Sequence, residues 1–216
     1  RRKSHRNKTR PKMPDFSLEL AAGNIVAGID EAGRGPWAGP VVAGAVILNP
    51  ATLPENLRQG LDDSKKLKPA RREELFEVRQ DHSDFGVGIA EVDEIDDVNI
   101  LQATLNAMGR ALKGLEGTPD VALVDGNRPP KLPCEVQCII KGDGLSLSIA
   151  AASIVAKVTR DRIMAGLAEA YPGYGWERNA GYGTKAHQEG LERLGVTPHH
   201  RKSFKPIINI LSKNSG

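Results

Sequence analysis

The run Val41-Val42-Ala43-Gly44-Ala45-Val46-Ile47-Leu48 holds no polar side chain. Successive residues of a strand face opposite sides, so a strand built from it must be covered on both. That excludes an open antiparallel sheet with one wet face and points to a sheet between helical layers. Apolar runs at 25–30, 85–92, 121–124 and 136–140 predict four further strands. Helices are predicted from Pro69 to Gln80, from Ile100 to Leu115 and from Ser146 to Tyr171, with a shorter one near Thr184–Leu194. In the longest, Ile149, Ala152, Ala156, Ile163, Leu167 and Ala170 recur at helical spacing, and the alanines permit close packing on a sheet. Pro172-Gly173-Tyr174-Gly175 breaks it, and the turn-rich link Gly35–Pro40 is short enough for an antiparallel connection. The expected fold is α/β, a mixed sheet with a small carboxyl-terminal helical addition.

Charge divides the chain unevenly. Arg1, Arg2, Lys3, Arg6, Lys8, Arg10 and Lys12 put seven cations and no acid in the first twelve residues. The whole chain is at +3, so the remainder carries −4. A like-charge block of this kind predicts a flexible arm suited to polyanions. The expected division is a basic tail over 1–20, an α/β core over 21–171 and a helical, basic carboxyl-terminal segment over 172–216. Cys134 and Cys138 are the only cysteines. On one strand their Cα atoms would stand roughly 13 Å apart, beyond the reach of about 7 Å that a disulfide allows. Free thiols in a reducing cytoplasm are expected. No apolar run reaches membrane-span length, and the basic amino end lacks the hydrophobic stretch of a secretion signal.

Three predicted strands lead into carboxylates: Asp30 with Glu31, Asp125, and Asp143. Acids at the ends of neighbouring strands converge on one rim and offer oxygen ligands for one or two hard divalent cations. Each also has a plainer reading, since Asp125-Gly126 and Asp143-Gly144 are ordinary turn dipeptides. Gly33-Arg34-Gly35 follows the first pair. It shapes a turn and also lets backbone amides approach a sugar or phosphate, with Arg34 as a charged clamp. In Asp63-Ser64-Lys65-Lys66-Leu67, Asp63 or Ser64 reads as a helix cap, while Lys65 or Lys66 suits substrate phosphates. Tyr182 lies in a flexible, basic stretch where an aromatic ring can meet a sugar. His199-His200-Arg201-Lys202 reads as a solvated basic face, and Asn99 as a cap for the helix after it.

Together, IDEAGRGPWAGPVVAGAVIL, DDSKKL, LVDGNRPPKLP, IKGDGLSLSIAAASIVAKVTRDRIM and GYGTKAHQEGLERLGVTPHHRKSF resemble bacterial ribonuclease HII from about Ile25 to Phe204. The resemblance implies an RNase H-like fold, a five-stranded mixed sheet flanked by helices with a carboxyl-terminal helical segment. It implies an endonuclease that hydrolyses RNA in RNA–DNA hybrids and incises duplex DNA 5′ of single embedded ribonucleotides, leaving 3′-OH and 5′-phosphate ends. The cofactor implied is Mg²⁺ or Mn²⁺ in a two-metal site of Asp30, Glu31, Asp125 and Asp143. Substrate contacts fall on Gly33, Arg34, Gly35, Tyr182 and the Lys65-Lys66 pair, with Lys65 favoured. A cytoplasmic monomer is implied. The terminal Ile207-Ile208-Asn209-Ile210-Leu211 lacks the paired aromatics of a sliding-clamp peptide, so no clamp partner is expected. Asn179-Ala180, Trp37 and Gly144 depart from the family's usual residues. A non-catalytic hybrid-binding module and a junction resolvase or integrase-like nuclease are the competing readings.

Overall fold

A computed structural model of the chain describes residues 13–213. The elements run α1 (Ser17–Ala22), β1 (Val26–Ala32), β2 (Val41–Leu48), α2 (Glu55–Gly60), α3 (Pro69–Gln80), β3 (Ser83–Ala90), α4 (Val92–Val98) and α5 (Ile100–Lys113). They continue with β4 (Val121–Asp125), β5 (Glu135–Ile139), a 3₁₀ turn at Gly142–Gly144, α6 (Leu147–Ala170), α7 (Trp176–Asn179), α8 (Lys185–Leu194) and α9 (Lys205–Lys213). The sheet order is β3-β2-β1-β4-β5. β1, β2 and β3 pair antiparallel, while β4 and β5 join β1 in parallel. This is the mixed five-stranded sheet expected.

Both faces of β2 are covered, as its sequence requires. Val46 and Leu48 pack with Leu147, Ala151, Ile154 and Val155 of α6. Val41, Ala43 and Ala45 pack on the other side with Ala103, Ala107 and Ala111 of α5. Glycines set how closely the layers meet. A Cβ at Gly28 would run into the Ser148–Ile149 backbone of α6, and one at Gly44 would lie 2.5 Å from the Ala152 carbonyl oxygen. A smaller cluster of Ala38, Met164, Tyr174, Trp176, Leu191 and Ile207 joins the carboxyl-terminal helices to the end of α6 and to the β1–β2 link.

Several expectations change. The tail drawn to residue 20 overlaps packed structure: Phe16 belongs to the core, and Glu19 accepts from the Ser146 hydroxyl at 2.7 Å and the Ser148 amide at 2.8 Å. The seven cations of the arm lie outside the described residues. α3 begins at Pro69 with Lys68 before it and no side-chain cap, so neither Asp63 nor Ser64 caps it. Asn99 does cap α5, accepting from the amides of Leu101 and Gln102. His200 and Arg201 are fully buried, so His199–Lys202 is no solvated face. Cys134 and Cys138 are free thiols. No helix among the described residues is long and apolar enough to cross a membrane.

The β1–α6 contact gives a direct test. Gly28→Ala should cost about 3 kcal/mol in urea unfolding, because rigid backbone cannot yield to the new methyl. Gly166→Ala, on the exposed face of α6 with nothing within 4 Å, should gain about 0.8 kcal/mol.

Candidate active site

Sheet register explains how distant acids meet. Ile29 of β1 lies level with Val124 of β4, so the residues that follow, Asp30 and Asp125, come side by side on adjacent parallel strands. Alternation places Asp30 on the same face as Gly28, towards α6, and Glu31 on the other. Asp143 arrives from the α6 side. It stands in the 3₁₀ turn before that helix and not at a strand end, as the sequence suggests. Asp30 and Asp143 are buried. Burial, then the charges of Glu31, Asp125 and Asp143, hold the Asp30 carboxyl well above the ordinary aspartate range. Asp143 is raised by burial, then by Asp63 and Asp125. Glu31 is raised by burial, against the pull of Arg34 and with a push from Asp125. The four acids therefore share one electrostatic site, and Asp63 stands beside it as a fifth. Sequence reading assigns Asp63 to a helix cap; an Asp-Asp pair beside two lysines is the only hint it offers.

The donor set is all carboxylate oxygen, concentrated and partly buried, which suits a hard divalent cation. As placed, however, no three Asp, Glu, His or Cys side chains among the described residues share the reach of one ion. Three of the four lean on a nearer donor. The Glu31 amide donates to Asp30 Oδ1 at 2.7 Å, and the Gly142 amide donates to Asp125 Oδ1 at 2.6 Å. Arg34 approaches Glu31 at 3.7 Å. Ligation therefore calls for side-chain rotation, with Asp125 Oδ2 and the outer oxygens of the others turning inward.

The glycine-arginine-glycine loop is built from beneath by two buried cations. Arg201 donates to the carbonyls of Gly33 at 2.6 Å, Arg34 at 3.0 Å, Gly39 at 2.8 Å and Pro40 at 3.2 Å. Arg160 donates to the carbonyls of Pro40, Ala38 and Ala180. A trans peptide points its N–H opposite its C=O. Anchoring the Gly33 and Arg34 carbonyls inward thus turns the Arg34 and Gly35 amides outward, away from Arg201. Gly33 has φ +97° and its α-carbon lies against the Arg160 guanidinium, so a side chain there has no room. Burial holds Arg160 down to about 10 and, with Arg160 beside it, Arg201 down to about 9, and both stay cationic at neutral pH. Neither arginine is singled out by sequence, where both read as helix or surface charges.

The remaining residues fall on the same rim. Burial works against the Lys65 cation, but Asp30, Asp63, Asp143 and Asp125 outweigh it and raise its pKa. Lys66 instead pairs with Asp62 at 2.9 Å. Their segment is tied to α6 by the Ser153–Ser64 hydroxyl bond at 2.6 Å. Tyr182 is half exposed, and a Cβ on Gly35 would meet its ring at 3.3 Å. The departures also find places. Asn179 bonds Tyr174, Gly181 and Thr184, Trp37 fills the space over Gly183, and a Cβ on Gly144 would make an ordinary contact, 3.8 Å, with the Lys66 ammonium.

Comparison with known proteins gives the family. The family model described as Ribonuclease HII matches residues 27–207. The chain is 62% identical over 199 residues to ribonuclease HII of Paramagnetospirillum magneticum, covering 92% of this chain and 99% of that protein. It is 58% identical over 205 residues to that of Rhodospirillum rubrum, covering 94% of each. Ribonuclease H2 from Pyrococcus horikoshii superimposes with a TM-score of 0.74 at 31% identity, over 88% of this chain and 98% of that one. Matching almost end to end, in sequence and in fold, the chain belongs to the ribonuclease HII family, endonucleases of the ribonuclease H type.

Proposed function

We propose that the protein is a divalent-metal-dependent endonuclease with two related substrates. It hydrolyses the RNA strand of RNA–DNA hybrids and incises duplex DNA 5′ of a single embedded ribonucleotide, leaving 3′-OH and 5′-phosphate ends. The observation that carries this reading is the register that sets Asp30 and Asp125 side by side on adjacent strands, next to a loop whose amides face outward. Asp30, Glu31, Asp125 and Asp143 would hold Mg²⁺ or Mn²⁺, which when bound supplies an activated water and offsets charge on the attacked phosphate.

The chain's own groups do the rest. The Arg34 and Gly35 amides meet a 2′-OH, which both donates and accepts; DNA offers no such group and leaves them unpaired. Arg34 and Lys65 take phosphates flanking the scissile one, and Lys66 stands behind Lys65 over the Gly144 turn. The Tyr182 ring lies where the next sugar sits, and favours one that lacks the hydroxyl. The protein acts as a monomer in the cytoplasm. No clamp contact is assigned, since Ile207-Ile208-Asn209-Ile210-Leu211 lacks paired aromatics.

Asp125→Asn should bind a junction duplex yet cut it roughly a thousandfold more slowly, about 4 kcal/mol of lost transition-state stabilisation. Near-parental turnover would remove Asp125 from the metal site. Plain DNA should resist cutting by the parent; nicking of branched all-DNA substrates would favour the resolvase reading.

Acid repulsion also makes a stability prediction. Asp30 has a raised folded-state pKa, so its contribution is fully present below its unfolded value, about pH 4, and is lost as pH rises through the folded one. In EDTA at neutral pH, Asp30→Asn should therefore melt above the parent, and the gap should close on acidification. Saturating Mg²⁺ should raise the parent's melting point and leave the variant's nearly unmoved. A variant less stable than the parent at every pH would contradict the repulsion.

A further inference from the structure

Two buried imidazoles lie under the Tyr182 turn, and the chemistry above uses neither. His187 and His200 are both fully buried, with their Nε2 atoms 3.0 Å apart. Their proton positions follow from their neighbours. The Thr197 amide can only donate, and it reaches His200 Nδ1 at 2.9 Å, so His200 carries its proton on Nε2. That proton points at His187 Nε2, which the Trp176 indole N–H also approaches at 3.2 Å. His187 Nε2 is thus an acceptor, and its proton sits on Nδ1, 3.0 Å from the Tyr182 carbonyl oxygen. Burial, with His187 beside it, holds His200 down to about 3, and burial lowers His187 as well, so both stay neutral and the directions are fixed.

The relay runs one way, from the Thr197 amide through both rings to the backbone of Tyr182. Its far end is the residue whose ring stands over Gly35. The same carbonyl accepts from the Thr184 amide at 2.8 Å, so both its lone pairs are taken. Trp37 donates to the Gly181 carbonyl at 2.8 Å, and Arg160 to that of Ala180 at 2.9 Å. The turn is therefore fixed from several sides, and Tyr182 itself is held through its amide, which donates to the Asn179 carbonyl at 2.9 Å, and through its carbonyl, where the imidazole relay ends.

We infer that His187 and His200 are positioning residues that set Tyr182 over the sugar-reading loop, and so set the preference for a ribonucleotide–deoxyribonucleotide junction over continuous RNA. The inference rests on the proposed role of Tyr182. The test compares kcat/KM on a single-ribonucleotide duplex with kcat/KM on a continuous RNA–DNA hybrid, for the parent and four variants. Tyr182→Ala should lower this ratio. His187→Leu should lower it about tenfold, the worth of one buried hydrogen bond. His187→Asn keeps a donor where Nδ1 stood and should restore the ratio to within about twofold. In the Tyr182→Ala background, His187→Leu should change it no further, and Mn²⁺ affinity should be unchanged throughout.

An unchanged ratio in Tyr182→Ala would overturn the reading of the tyrosine. A lowered ratio there, with folded His187→Leu keeping the parent's, would overturn the histidine relay alone. Should His187→Leu fail to fold, ¹⁵N NMR of the parent decides. Protons on His187 Nδ1 and His200 Nε2 support the relay, and the opposite tautomers overturn it.

Discussion

Four carboxylates crowded at the rim of a sheet repel one another, and the rest of the fold is what holds them there. None could gather in a flexible chain. β1 and β4 fix Asp30 and Asp125 as parallel neighbours, with no freedom to separate along the strands. Asp143 is delivered by α6, whose first turn lies against the α-carbon of Gly28 on β1. Glu19, in the short amino-terminal helix, braces that turn from outside through Ser146 and Ser148. Close helix–sheet packing thus supplies the energy that like-charge repulsion costs, and on the proposed reading the stored repulsion would become affinity for cations.

A second frame serves the substrate loop. Arg160 and Arg201 spend their donors on backbone carbonyls rather than on acids, an arrangement that a planar, always-charged guanidinium suits and an ammonium does not. They join two stretches far apart in sequence: the β1–β2 link from Gly33 to Pro40 and the Ala180 turn. The frame is itself anchored through Asp96 of α4, which accepts from the amides of Lys202 and Ser203 beside Arg201. The carboxyl-terminal segment is therefore part of the loop's foundations.

Much of this was legible beforehand, for identifiable reasons. β2 declared itself because every position is apolar, and α3 because proline opens it at Pro69. Asn99 was read as a cap because a helical pattern begins directly after it. Short helices escaped. α2 buries only Leu57, and α4 buries only Val92 and Ile95 within an acidic run, too little for a periodic pattern to emerge. The buried histidines and arginines escaped for a different reason. Composition marks His199–Lys202 as polar, and only tertiary hydrogen bonds reveal that His200 and Arg201 are interior. The acids stood out by their positions near strand ends, yet their geometry did not. Register shows Asp30 and Asp125 side by side, while no three acids share the reach of one ion among the described residues as placed.

The central claim is that these acids close around divalent cations, and a crystal structure grown with Mn²⁺ and measured for anomalous scattering tests it most directly. The account predicts manganese peaks about 2.2 Å from carboxylate oxygens of Asp30 and Asp125, with Glu31 and Asp143 completing the coordination. Manganese bound elsewhere, with Asp30 and Asp125 still turned to their amide donors, would contradict it.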